Sequence, residues 1–478
     1  MTMMFTPLPE KLWNRTLAAH LLNRAGFGGT PDQIDLMVAM GPDKAVASFV
    51  DADEEGDLFP APRMVEPSLR MEFRRRMKEA PDEFARREIQ RELQHADTIS
   101  MEDLRVWWLN RMRYTSDPLR EKMTLFWHGH FATSNQKVND PWLMLVQNET
   151  LRRNALGKIP SLLKDISRDP AMIRWLDLGQ SRRDHPNENF AREVMELFSL
   201  GEGHYTEQDI QQAAKAFTGY RIRPETGEFR FEEKDFDSSE KSFFGQAGPF
   251  TGDDIIDMIV ARPQCARFIG RKLWTFFVSP EPTDDQVSDL AALLQANRLD
   301  IKPTLTTLFR SAAFFSPKAV HHQIKGPVQW MIQSTRMLGI PLSEARVLEA
   351  SLSSLGQVLF APPNVKGWDG GRAWISASSL LYRYNLASYL LSGKARILGG
   401  GNGKVAVIPL GEIAPAERRT GPDELLDHVA FRVFNVPPPP RERAAFLTFL
   451  GKKPAPYSDD VVRDLLQIMM GTPEYQLT

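Results

Sequence analysis

HPNENFAREVMELFSLGEGHYTEQDIQQAAKAFTG, residues 185–219, spells two capped helices in succession. At the 3.6-residue period, Glu188, Asn189, Arg192, Glu193 and Glu196 fall on one arc of the first helix, while Phe190, Ala191, Val194, Leu197 and Phe198 fill the other. The apolar arc predicts packing against a core. The polar arc has two readings. The i,i+4 spacing of Glu188 to Arg192 and of Arg192 to Glu196 allows ion pairs worth roughly 0.2–0.5 kcal/mol each on a solvated face. Alternatively, Glu193 and Glu196, three residues apart above an apolar face, form a carboxylate pair at a site.

Helix signals continue outward from this stretch. Thr30-Pro31-Asp32-Gln33, Thr206-Glu207-Gln208-Asp209 and Thr283-Asp284-Asp285-Gln286 each place a capping hydroxyl three residues before a side chain that can answer it. A charge-dense segment over 69–95, broken at Pro81, predicts an exposed helical hairpin, and a Ser458-capped helix carries Val461, Val462, Leu465, Leu466 and Met469 near the end. The clearest strand signal is the alternation around PETG in residues 220–231, which predicts a small β-hairpin. Together these predict a mainly α protein. One large multi-helix domain is expected over 1–395, followed by a Gly-rich linker at 396–420 and a smaller helical C-terminal region at 421–478.

With 42% hydrophobic and 25% charged residues and a formal net charge of −2, the chain has the composition of a soluble globular protein without a general pull toward nucleic acid or anionic membrane. It contains no 18-residue apolar run, so no membrane span is expected. Cys265 is the sole cysteine and sits in an apolar helical pattern, which excludes an intrachain disulfide and a cysteine-based zinc cluster. The N-terminus shows no basic leader followed by an apolar core, so the sequence as it stands reads as cytoplasmic.

Three groups of residues can carry chemistry. His128 and His130 close the helix opened by Asp117-Pro118; they point apart on an intact helix and together only if Gly129 ends it. Should they meet the polar arc, His128, His130, Glu193 and Glu196 would make an N/O ligand set for a divalent metal able to acidify a bound water. Without a metal, Glu193 or Glu196 beside His128 can act as general base, with Arg192 stabilising an anionic substrate. The third group is the loop PPNVKGWDGGRAW, residues 362–374, where close Pro and Gly exclude regular structure. Here Asn364, Trp368, Asp369, Arg372 and Trp374, with Asn189 of the polar arc, offer hydrogen-bonding groups and rings to a ligand, or the tryptophans plug the core.

The segments HLLNRAGFGGTPDQI, LFWHGHFATS, residues 185–220, GDDIIDMI, IKGPVQWM and PPNVKGWDGGRAW, in this order, resemble the bacterial domain-of-unknown-function 1800 family from about His20 to about Leu391. The resemblance implies a helical fold and no defined reaction. Members of that family are often exported and commonly encoded beside a sulfatase-like protein, which makes such a protein the implied partner and an extracytoplasmic location the expectation if the start lies upstream. Phe236-Asp237 stands where the family pattern leads one to expect His-Asp, which weakens Asp237 as a catalytic residue. The two functional expectations are therefore a metal-assisted or acid/base hydrolase, and a non-enzymatic module that engages a partner protein or glycan.

Overall fold

The computed structural model describes residues 3–53, 57–340, 345–392 and 408–478. It is 62% helical, and the sheets among the described residues are two antiparallel hairpins, so the protein is mainly α. The helix starts follow from local chemistry. Thr30 with Gln33, Thr206 with Asp209 and Thr283 with Gln286 all form reciprocal capping boxes, which satisfy amide donors that the first turn leaves free. The charged segment is a helical hairpin, Pro67–Glu79 and Glu83–Tyr114, but not an exposed one throughout. Its second arm runs 32 residues, and its C-terminal half buries Leu104, Trp108 and Met112.

The expected hairpin pairs Tyr220–Ile222 with Phe229–Phe231, Tyr220 opposite Phe231. A second hairpin, Lys241–Phe243 with Gln246–Gly248, was not foreshadowed, because its two strands hold one large apolar residue between them, Phe243, and so write no alternation. Its turn holds Phe244 at φ 48° and Gly245 at φ 78°. Gly245 is thus the one local signal for it.

Two apolar cores lie on either side of the helix Pro118–His130. One gathers Leu119, Met123 and Trp127 with the apolar arc of Glu188–Glu196 and the helices between 252 and 310. The other gathers Trp108 and Leu125 with the helix Pro327–Met337 and with residues 386–391 and 408–475. Every residue of Pro327–Met337 is buried, so its polar side chains must find partners inside. The Ser458-capped helix contributes Val461, Val462, Leu465, Leu466 and Met469 to this second core. The glycines at 399–403 lie outside the described residues. Residues 408–418, within the stretch expected as a linker, form a short helix and a 3-10 turn whose Leu410 and Ile413 join the core. No helix among the described residues is long and apolar enough to cross a membrane.

Candidate functional site

The three groups singled out in the sequence converge on the end of Pro118–His130. That helix stays intact through Gly129 and closes at His130, so the two rings project to different sides. His128 faces Trp108, Phe360 and Trp368, with ring centroids 5.1, 5.2 and 5.7 Å away. Its Nε2 accepts the Phe360 N–H at 3.0 Å. Phe360 is in the left-handed region at φ 63°, and its carbonyl accepts from the Asn135 N–H at 2.8 Å. His128 therefore holds a strained residue at the entrance to the 362–374 loop, and burial lowers its pKa to about 3, which keeps the ring neutral and Nε2 an acceptor.

His130 turns toward Phe131 and Phe198, and its Nε2 lies 3.0 Å from the Phe198 carbonyl just past the polar-arc helix. Burial, then Lys272, holds its pKa well below the ordinary value. An Nε2 at hydrogen-bond distance from a carbonyl carries the proton and is not free to bind a metal. Among the described residues no three His, Cys, Asp or Glu side chains are grouped to hold a metal, so His128, His130, Glu193 and Glu196 do not form the ligand set that the sequence suggested. The physical reason is the unbroken helix at Gly129.

The polar arc lies at the rim, half-buried along its length. Arg192 pairs with Glu188 at 3.4 Å as expected, but its other partner is Glu207 of the following helix rather than Glu196. Glu196 instead accepts a hydrogen bond from the Tyr205 hydroxyl at 2.9 Å. Glu193 makes no side-chain hydrogen bond among the described residues; burial, then the neighbouring Glu196, raises its pKa, opposed by Arg192 and Lys366. Asn189 is committed to structure: its amide donates to the Leu176 carbonyl at 3.3 Å.

Lys366 brings the 362–374 loop beside Glu193. The loop docks through Gly367, at φ 85°, where an added Cβ would come within 2.3 Å of the Gly129 carbonyl oxygen. Only glycine permits that approach. Half-buried Trp368 meets His128 and half-buried Trp374 covers Gly326 and Gly356, so both tryptophans serve as plugs while keeping an edge at the surface. Gly371–Trp374 forms a 3-10 turn, regular structure that the density of glycine had seemed to forbid. Asn364 closes a turn by accepting the Lys366 N–H at 2.8 Å, and Asp369 and Arg372 point to solvent.

Sequence reasoning missed the polar groups inside the fold. Glu121 accepts from Arg111, Arg152 and the Trp108 indole at 2.5–3.1 Å and is fully buried. The next residue, Lys122, donates to Gln329 and lies 5.0 and 5.5 Å from the Phe27 and Phe276 rings. Gln329 and Gln333 in turn donate to Asn23, and Arg24 donates to the Val278 and Ala319 carbonyls. Asn23 and Arg24 belong to HLLNRAGFGG, and Gln329 to IKGPVQWM, so motifs about 300 residues apart in the chain meet here. The run Arg120-Glu121-Lys122, set directly before the largely apolar stretch 123–127 of the same helix, was the available signal.

The family described as "Protein of unknown function (DUF1800)" matches residues 20–477, and the chain belongs to it. The match runs well beyond Leu391 and takes in the C-terminal helices, in keeping with their place in the second core. No curated protein and no solved structure gives a significant match.

Proposed function

We propose that the protein is a non-enzymatic binding module that engages a partner protein through the polar arc of Glu188–Glu196 and the adjoining 362–374 loop. The observation that carries this reading is the division of labour at the motif junction. The histidines are buried and spend Nε2 on backbone groups, while Glu193, Lys366, Asp369 and Arg372 stand at the rim with side chains available to a partner. A rim of mixed charge around tryptophan edges suits a protein surface. It suits a glycan less well, because both indoles are half spent on the core. The sulfatase-like protein that the family resemblance implies is the partner to test.

Glu193→Gln/Glu196→Gln should abolish binding to that purified partner in isothermal titration while shifting stability by no more than about 0.5 kcal/mol, since both side chains are only half-buried. Undiminished binding by the double variant would overturn the reading. One observation favours a second reading, acid/base hydrolysis: Glu193 has a raised pKa beside Glu196, whose carboxylate is held by Tyr205. Turnover of an ester or glycoside by the wild type that Glu193→Gln removes, with partner binding intact, would put this second reading in place of the first.

A further inference from the structure

A small cleft opens away from the motif junction, between the helix Pro67–Glu79, the start of the helix Pro141–Arg153, the helix Pro170–Trp175 and the turn of the first hairpin. Four arginines line it, Arg70, Arg74, Arg174 and Arg223, against a single carboxylate, Asp140. The inner pair is fixed. Arg70 Nε and Arg174 Nη1 lie 3.2 and 3.3 Å from the same Asp140 oxygen, Arg70 also holds Asp97, and Arg174 donates to the Val138 carbonyl at 2.9 Å. The outer pair is uncommitted. Arg74 and Arg223 are exposed, and among the described residues neither has a carboxylate at ion-pair distance; the only side-chain contact of Arg74 is a long one to the Met71 sulfur at 3.6 Å.

Two further features bear on what would fill this space. The second Asp140 oxygen is buried and has no hydrogen-bond partner, although the residue is only 4% exposed. Asp140 stands at the N-cap of Pro141–Arg153 without capping it, which leaves the amides of Trp142 and Leu143, both lining the cleft, without a side-chain acceptor. Converging guanidinium forks and open helix-start amides are the chemistry that recognises tetrahedral oxyanions. An unmatched carboxylate oxygen calls for a hydroxyl donor.

We infer that this cleft binds a small oxyanion ester, phosphate or sulfate, carried on a hydroxylated carbon skeleton. Arg74 and Arg223 close on the anionic group from opposite walls, Arg174 and the helix-start amides complete its shell, and Asp140 accepts from a hydroxyl.

The test titrates the full chain by calorimetry with inorganic phosphate, inorganic sulfate and glycerol 3-phosphate, and repeats each titration on Arg74→Ala/Arg223→Ala and on Arg223→Glu. Both positions are exposed, so the variants should keep the melting temperature of the ligand-free protein. The expected result is saturable binding to the wild type, tightest for a hydroxylated ester, weakened roughly tenfold or more in both variants. Preference for inorganic phosphate over sulfate assigns a phosphate ester, and the reverse assigns a sulfate ester. No saturable binding of any of the three probes, or equal binding by wild type and variants, overturns the inference.

Discussion

Glu121 and Lys122 are neighbours on one buried helix, and the fold treats them in opposite ways. Glu121 faces the second core and meets two guanidiniums and an indole N–H. Burial alone would raise its pKa, but Arg152 and then Arg111 outweigh burial and hold it below the ordinary carboxylate range. Lys122, about 100° further round the helix, finds one amide oxygen, two aromatic faces and another cation, Arg24, and among the described residues no carboxylate. Burial, then Arg24, lowers its pKa to about 7. A buried charge that the structure has paired is part of the architecture; a buried charge left unpaired is tolerated by neutralisation. The two positions should therefore answer very differently to loss of charge.

The largest effect belongs to Glu121. Glu121→Gln keeps the shape but leaves Arg111 and Arg152 facing a neutral amide inside the protein, and breaking a buried pair in this way typically costs about 3–5 kcal/mol. Urea denaturation at neutral pH should show a loss of this size, and a loss below about 1 kcal/mol would remove the distinction between the paired and unpaired sides.

How much of this was open to inspection in the chain follows from the distance over which each feature acts. Capping boxes at Thr30, Thr206 and Thr283 act across three residues, so the helix starts are legible. The apolar arc of Glu188–Glu196 is likewise a local pattern, and Phe190, Ala191 and Val194 are buried as it predicts. The pairing of Arg192 is only half legible: Glu188 lies one turn away on the same helix, whereas Glu207 arrives on the next. The roles of the two histidines were beyond reach. They depend on the Phe360 amide and the Phe198 carbonyl, 232 and 68 residues away in the chain. The family motifs did mark the right segments, because those segments are what the tertiary contacts join.

A histidine offers a middle-sized test, since His128 shares with Lys122 the device of staying neutral inside the fold. Its native pKa of about 3 lies below the unfolded value of about 6.5, so between these limits the unfolded chain holds a proton that the native protein does not. Stability is then fully present above pH 6.5 and falls as the pH drops through that window, by up to about 1.4 kcal/mol per pH unit for each such histidine, or about 2 kcal/mol at pH 5. His20, His130 and His321 are shifted in the same direction and steepen the fall. His128→Gln keeps an acceptor for the Phe360 amide but cannot take the proton. Its stability should decline less steeply between pH 7 and pH 5, by about one proton's worth. An unchanged slope would mean that His128 is already protonated in the native protein, which contradicts its acceptor role.

The smallest effect is expected at Lys122, and its smallness is the point. Lys122→Met puts an apolar chain of similar length between the Phe27 and Phe276 rings and removes an amine whose protonated form repels Arg24. It also strips Gln329 of its donor, a loss of about 1–2 kcal/mol that offsets the gain. The net change at pH 7 should stay within about 1 kcal/mol of zero. The pH dependence separates this outcome from simple tolerance. The native pKa of about 7 lies below the unfolded value of about 10.4, so across that interval the unfolded chain carries the extra proton and wild-type stability rises with pH. Wild type should accordingly gain on the variant between pH 7 and pH 9 in urea denaturation, because the methionine lacks this contribution. A loss of about 3 kcal/mol or more at pH 7 would instead show that the fold depends on the Lys122 ammonium as it does on the Glu121 carboxylate, and the contrast between the two faces of the helix would fail.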